Sequence, residues 1–264
     1  MRVVQECRVT DVQRNAGDAF QIRTSRGDFT SKIVCGSYGK YAPQFIHLDE
    51  SNAPDAVSQN YIGVKYHIKT DFPANRIELH NFNDGYCGIS KVDRDWYCLC
   101  YLTTARNLIE NGKDVKQMEE AVLFQNPFLK HYFKNSDFVN AQPLVISNVQ
   151  FSKKQTDSNG IFLLGDAAGS ITPLCGNGMS MGMRASKLLA GQLILLFNAK
   201  QTHESALQNY QRVWNAAFGT RIKAGYHLQK LFGKSRTTDF ALKFLDKSPW
   251  LISKLVSLTH GEIF

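Results

Sequence analysis

The segment that most constrains this chain is Gly165-Asp166-Ala167-Ala168-Gly169-Ser170-Ile171-Thr172-Pro173-Leu174-Cys175-Gly176-Asn177-Gly178. It follows an apolar strand, Ile161 to Leu164, and opens into a helical pattern from Met179 to Phe197. A strand ending in Gly-Asp, a loop carrying Pro173 and a glycine-rich helix start make a corner for a large anionic ligand with a ring system. The acid at the strand end reaches sugar-like hydroxyls. The glycines let bare backbone N–H groups approach, and the positive end of the helix dipole favours negative charge. No Gly-x-Gly-x-x-Gly occurs anywhere in the chain.

A chain of 264 residues can bury a large core and hold one large or two intertwined domains. With 43% hydrophobic and 20% charged residues, the composition is that of a globular protein. The net charge of +8 suits an anionic ligand or a membrane surface as well as it suits a plain solvated surface. Nucleic acid is not expected as a partner, because Lys and Arg are scattered rather than gathered into a stripe. The six cysteines (Cys7, Cys35, Cys87, Cys98, Cys100 and Cys175) form no C-x-x-C pair and no disulfide framework, so reduced thiols and no metal site are expected. Cys98 and Cys100 share a strand face but lack the two further ligands that a zinc site needs. Met1 to Thr10 contains Arg2, Glu6 and Arg8 without an apolar run and does not read as a signal peptide.

Strands are expected over Arg2–Arg14, Ala19–Thr24 and Phe29–Val34, the last ending in Cys35-Gly36-Ser37-Tyr38-Gly39. From Tyr61 to Leu102 the period-two pattern repeats as Ile62–Lys69, Arg76–Phe82, Tyr86–Lys91 and Trp96–Leu102, with Asp84-Gly85 as a hairpin turn. This predicts an antiparallel sheet with one covered face. Asp114 reads as the N-cap of a helix through Phe124, Pro127 starts another, and Phe138 to Gln150 returns as strand. Beyond the glycine-rich corner, Leu207, Tyr210, Trp214, Phe218, Ile222 and Leu228 predict an amphipathic helix over Glu204–Phe232. Gly219 and Gly225 mark a kink or close packing in it. Short helices are expected over Asp239–Leu245 and Pro249–Leu258, with Trp250, Leu251, Leu255 and Leu258 beside Lys243, Lys247 and Lys254. Such a basic amphipathic stripe serves either core packing or peripheral membrane contact.

The run from Gly165 to Gly178, with Ala185 in the helix that follows, resembles the second FAD-binding motif of the flavoprotein monooxygenase and geranylgeranyl reductase superfamily. Tyr61-Ile62-Gly63-Val64-Lys65 and Asp84-Gly85-Tyr86-Cys87-Gly88-Ile89 resemble strands in a bacterial set of such oxidoreductases. The resemblance implies an α/β (mixed α+β) chain. An incomplete FAD-binding Rossmann-like domain would occupy residues 1–48 and 145–232. An antiparallel-sheet substrate domain would be inserted at 49–144, with a C-terminal helical segment at 233–264. It further implies that Gly165 contacts the cofactor, that Asp166 hydrogen-bonds the ribityl chain and that Ala167, Ala168 and Gly169 lie near the pyrophosphate. Pro173, Gly176, Asn177 and Gly178 would pass along the flavin ring, where backbone N–H groups near Gly176 and Asn177 would stabilise charge on its pyrimidine edge. The turn Ser37-Tyr38-Gly39 departs from the superfamily's Ala-Asp-Gly-like turn and lacks its acid.

Tyr38, Tyr86, Trp96 and Tyr101 are the expected substrate-pocket residues. No Ser-His-Asp or Cys-His set can be argued, so no catalytic side chain is assigned; flavin chemistry needs few. The resemblance implies an FAD-dependent oxidoreductase, monooxygenase-like, acting on an apolar or aromatic small molecule with NAD(P)H as electron donor. The alternatives are a geranylgeranyl reductase-like enzyme acting on isoprenoid double bonds and a non-catalytic remnant or partner subunit. A complete member begins with a βαβ unit of about 30 residues or more. Its half of the site is therefore expected from upstream sequence or from another chain, with weak or no FAD binding by this chain alone. The expected location is cytoplasmic, with the C-terminal stripe as the membrane-peripheral element.

Overall fold

The computed structural model describes residues 2–15, 17–48, 60–149, 155–231, 233, 238, 243 and 245–260. It is a mixed α/β structure that divides into two compact units, the chain passing between them more than once. The expected helix at Asp239–Leu245 lies largely outside the described residues.

The first unit comprises the described residues within 1–53, 151–226 and 256–264. Strands β1 (Val9–Arg14), β2 (Phe20–Thr24) and β3 (Gly27–Ser31) form an antiparallel meander. Strand β4 (Cys35–Gly36) belongs to a second sheet. The strand expected over Phe29–Val34 ends at Ser31 with the meander; residues 32–34 lie outside any strand, and β4 begins after them. The strand expected from Arg2 begins only at Val9, because Glu6 has a left-handed φ of 50° that breaks the extension.

Near the end of the chain's central β-rich stretch, strand β5 (Tyr61–Lys69), β6 (Ile77–Phe82), β7 (Gly85–Asp93), β8 (Trp96–Thr104), β9 (Asp137–Phe138) and β10 (Leu144–Val149) build the second unit. Strands β11 (Asp157–Ser158) and β12 (Ile161–Leu163) return to the first unit. There β12 pairs parallel with β4, Phe162 opposite Cys35 and Leu163 opposite Gly36. Its Ile-Phe-Leu run is buried throughout, as a parallel strand covered on both faces requires. Helix α4 (Gly178–Phe197) and helix α5 (His203–Leu231) follow. Ala206, Tyr210, Trp214, Phe218 and Ile222 of α5 are buried in one core with Phe20, β12 and Met181, Ala185 and Leu189 of α4.

In the second unit the main sheet has the order β10-β5-β8-β7-β6, with β9 beside β5. Ile62, Val64, Ile68, Ile89, Leu99 and Tyr101 project from one face onto α1 (Ala105–Glu110), α2 (Val115–Val122) and α3 (Pro127–Asn135), forming a core with Met118, Leu123 and Leu129. The Asp114 side chain caps α2 by accepting from the Gln117 N–H, and Asn126 caps α3 ahead of Pro127. The β6–β7 hairpin turns at Asn83-Asp84, one residue earlier than the sequence suggests, since Gly85 already pairs with Phe82. A β-carbon on Gly85 would meet the Leu102 carbonyl at 2.4 Å, so the glycine is required by close approach and not by the turn. A final helix, α6 (Pro249–His260), carries Trp250 at 71% exposed. Among the described residues no helix is long and apolar enough to cross a membrane.

Glu119 of α2 is buried in this core and accepts hydrogen bonds from the Tyr66 and Tyr101 hydroxyls, each at 2.8 Å. Burial raises its carboxyl above the ordinary 4.5 and outweighs the two tyrosine donors, which act the other way. A raised carboxyl favours the folded state most below 4.5, and that contribution is lost as pH rises through the folded-state value. Urea denaturation as a function of pH should accordingly show stability declining above pH 4.5, with Glu119→Gln flattening that decline. Glu119→Ala should cost about 1–3 kcal/mol at every pH, because two buried hydroxyls lose their acceptor.

Candidate functional site

The site is assembled where β12 ends. Tyr210 of α5 donates its hydroxyl to the Leu163 carbonyl at 3.1 Å, and the Phe162 ring stacks on His203 with centroids 5.4 Å apart. These contacts fix the strand end against α5. The chain then turns at Gly165, whose φ of 58° is left-handed and costs glycine little. A short 3-10 turn over Gly165–Ala167 follows, with the Ala168 N–H bonded to the Gly165 carbonyl at 3.0 Å. Ala167 and Ala168 go fully into the core, while Asp166 is exposed.

A second 3-10 turn, Pro173–Cys175, ends at Gly176 with φ 67°. The Gly176 N–H is bonded to the Pro173 carbonyl at 2.9 Å, which corrects the expectation that it faces a ligand. The donors at this point belong to the start of α4. Its first intrahelical bond runs from Met181 N–H to the Asn177 carbonyl. The N–H groups of Gly178, Met179 and Ser180 therefore have no acceptor within the helix.

Gly165, Asp166, Gly169, Gly178, Gly182 and Trp214 line a narrow groove at this corner. A β-carbon on Gly165, Gly176 or Gly178 would meet nothing within 4 Å, so these glycines border open space. Asn177 is buried beside them; its amide nitrogen donates to the Thr259 carbonyl of α6, and its amide oxygen has no hydrogen-bond donor. That oxygen is a desolvated acceptor at the mouth of a helix, and such atoms are costly unless something supplies the missing proton. Gly182 and the α5 residues Trp214 and Phe218 also contribute to the groove but were not assigned from the sequence. The sequence signal for the α4 residues is a stripe of small residues at 178, 182 and 185, one helical face.

Of the four aromatic residues expected to line a substrate pocket, Tyr38 belongs to the first unit and Tyr86, Trp96 and Tyr101 to the second, where Tyr101 lies on the opposite sheet face from the other two. Tyr38 packs on the core of the first unit, where burial pushes its hydroxyl up to about 12. Tyr101 points into the helix-covered core of the second unit and bonds Glu119. It is a core residue, because strand alternation sends it to the opposite face from Trp96. Tyr86 and Trp96 do lie on that other face, Tyr86 buried beside its strand partner Leu102 and Trp96 40% exposed. No group of three His, Cys, Asp or Glu side chains arranged to hold a metal occurs among the described residues.

No family model matches the chain. It is 33% identical over 142 residues, 51% of its length, to conditioned medium factor receptor 1 of Dictyostelium discoideum. The matched parts span about a quarter of the length of the curated relatives, 26% and 24%. Solved structures align far more completely. The flavin-dependent brominase Bmp2 superposes on 97% of this chain and 64% of its own, with a TM-score of 0.72 at 14% identity. PqsL of Pseudomonas aeruginosa, a probable FAD-dependent monooxygenase, covers 90% of this chain and 67% of its own, with a TM-score of 0.64 at 17% identity. The chain has the fold of the FAD-dependent monooxygenases and halogenases. At these identities the likeness is one of fold, and the resemblance first carried by the Gly165–Gly178 run extends to most of the chain.

Within this monooxygenase-like fold, the loop between the two 3-10 turns is held from behind by α5. A β-carbon on Gly225 would meet Cys175 Sγ at 3.0 Å and Ile171 Cγ1 at 3.1 Å, whereas one on Gly219 would meet nothing within 4 Å. The helix runs unbroken through both, so Gly225 serves close packing. Gly219→Ala should raise stability by about 0.5–1 kcal/mol through helix propensity. Gly225→Ala should instead lower it by about 1–3 kcal/mol through overpacking, as read by chemical denaturation.

Proposed function

We propose that this protein is an FAD-dependent oxidoreductase, monooxygenase-like, that uses NAD(P)H to oxidise an apolar or aromatic small molecule. The observation that carries this reading is the buried Asn177 amide oxygen without a donor, set beside the unsatisfied first turn of α4 and glycines that border open space. The pyrimidine edge of an isoalloxazine ring presents carbonyl acceptors flanking an N–H donor. Asn177 Oδ1 is suited to accept from that N–H, and the N–H groups of Gly178, Met179 and Ser180 are suited to donate to a carbonyl. The α4 dipole favours negative charge at the same place. Asp166, exposed at the strand end, is suited to accept from ribityl hydroxyls. FAD, when bound, supplies the two-electron redox chemistry; the protein binds it, orients it and excludes water around it.

A second reading, reduction of isoprenoid double bonds, is favoured by the apolar character of the sheet face turned away from the helices. On that face Ile77, Leu79, Leu144 and Ile146 are 75%, 49%, 64% and 51% exposed. Such a surface suits an extended hydrocarbon. Substrate-dependent oxygen uptake separates the two, since the reductase transfers its electrons without consuming oxygen.

Titration of the chain with FAD and with FMN, followed by flavin fluorescence, tests the cofactor assignment. Saturable quenching is expected with both flavins, since the corner addresses the isoalloxazine and ribityl portion they share. Asp166→Ala and Gly178→Val should each weaken it roughly tenfold, equivalent to about 1.4 kcal/mol. Absence of saturable quenching at millimolar flavin, or quenching indifferent to both substitutions, would overturn the assignment.

A further inference from the structure

Helix α4 turns one face into the core of the first unit and leaves the opposite face uncovered. Met181, Ala185 and Leu189 are buried in that core. On the far side of the helix, about half a turn away at roughly 100° per residue, Met183, Lys187, Ala190, Ile194 and Phe197 recur at intervals of four, three, four and three. All five are exposed, Met183 at 62%, Ile194 at 60% and Phe197 at 68%. This spacing is the a/d seam of a coiled coil. Lys187 and Ile194 stand at a, Met183, Ala190 and Phe197 stand at d, and Ser180 holds the a position of the first turn. A helix that packs on a single core needs only one apolar stripe, and α4 carries two on opposite sides.

The order of residues along this seam is complementary to itself when read backwards. In an antiparallel pair each a residue meets a d residue of the other helix. Lys187 then lies over the partner's Ala190, Met183 against the partner's Ile194 and Ser180 against the partner's Phe197, every contact being repeated across the two-fold axis. The middle of the seam is small. Ser186 and Gly191 flank the central layer, both exposed, and a β-carbon on Gly191 would meet nothing within 4 Å. The Lys187 stem therefore has room to cross the partner helix and carry its ammonium to water. Charge disfavours the parallel arrangement: it would press Lys187 against the partner's Lys187, and α4 contains no acidic side chain to compensate.

We propose that the outward face of α4 is a self-association surface, at which two copies of this chain pair through an antiparallel α4–α4 seam. The seam runs over residues 180–197, about 26 Å of helix at roughly 1.5 Å per residue. One such pair of helices buries less than the roughly 800 Å² per partner of a standard interface, so the dimer is weak, with a dissociation constant on the order of 10 µM. Each copy carries a net charge of +8, and Lys187 sits next to the two-fold axis, so salt relieves the repulsion and tightens the pair. A partner of opposite charge on the same face would show the reverse dependence.

Sedimentation equilibrium of the purified chain tests this. A monomer–dimer equilibrium is expected that tightens several-fold between about 0.05 and 0.5 M sodium chloride. Ile194→Asp, which sets an unpaired carboxylate in the seam, should weaken it at least roughly tenfold, and Lys187→Met should strengthen it. Both positions are exposed in the single copy, so the melting curves of these variants should match the parent. Orientation is read by disulfide trapping and peptide mapping. Chains carrying Met183→Cys should cross-link to chains carrying Ile194→Cys, whereas Met183→Cys alone should not link to itself through position 183. A chain that stays monomeric at about 200 µM in high salt would overturn the proposal. So would a dimer indifferent to Ile194→Asp, self-linkage at position 183, or association that weakens as salt rises. The outcome is independent of whether the chain binds flavin.

Discussion

The constraint on which the glycine-rich corner depends is the complete burial of β12. Ile161, Phe162 and Leu163 can be buried on both faces only if helices cover them, and α5 does so while tying the strand end through Tyr210 and His203. With the strand end fixed, the chain has to leave it abruptly. Gly165 permits the turn, and the two alanines that follow are small enough to enter the core beneath it. The exposed Asp166, the two 3-10 turns and the start of α4 are then placed by backbone geometry. A side chain larger than alanine at 167 or 168 would lift the whole loop off α5.

The second unit follows a different logic. Its sheet buries one face against three short helices, and the strongest polar feature of that core, Glu119 with its two tyrosines, is satisfied internally. A buried carboxyl that accepts from two tyrosines ties the helix that carries it to the strands that carry them. The other face retains apolar residues, two thiols and a lysine within one patch. The two faces of β8 thus differ residue by residue, one packed into the core and the other carrying Trp96 and the two thiols.

Much of this was legible in advance because it rests on local periodicity. The period-two runs at Ile62–Lys69 and Trp96–Leu102, the cap at Asp114, the proline start of α3 and the long apolar stripe of α5 each specify their own element. The errors fall where non-local pairing decides. Phe29–Val34 alternates well enough to look like one strand, yet it ends at Ser31, and the next strand, β4, pairs with β12, some 127 residues away between Cys35 and Phe162. Tyr101 is of the same chemical kind as Tyr86 and Trp96, but alternation along β8 sends it to the other face.

The sequence by itself determined the elements, the two-faced character of the central sheet and the location of the glycine-rich corner, since each follows from residue spacing and from glycine's access to left-handed backbone. Only the tertiary structure decided which N–H groups at that corner remain unspent, that Asn177 is anchored through its nitrogen by α6 with its oxygen left over, and that Cys98 and Cys100 lie opposite His67 and Lys65. Those properties depend on contacts between residues far apart in the chain. Hydrogen bonding and local electrostatics fall off over a few ångströms, and no periodicity in a sequence encodes which distant groups end up within that range.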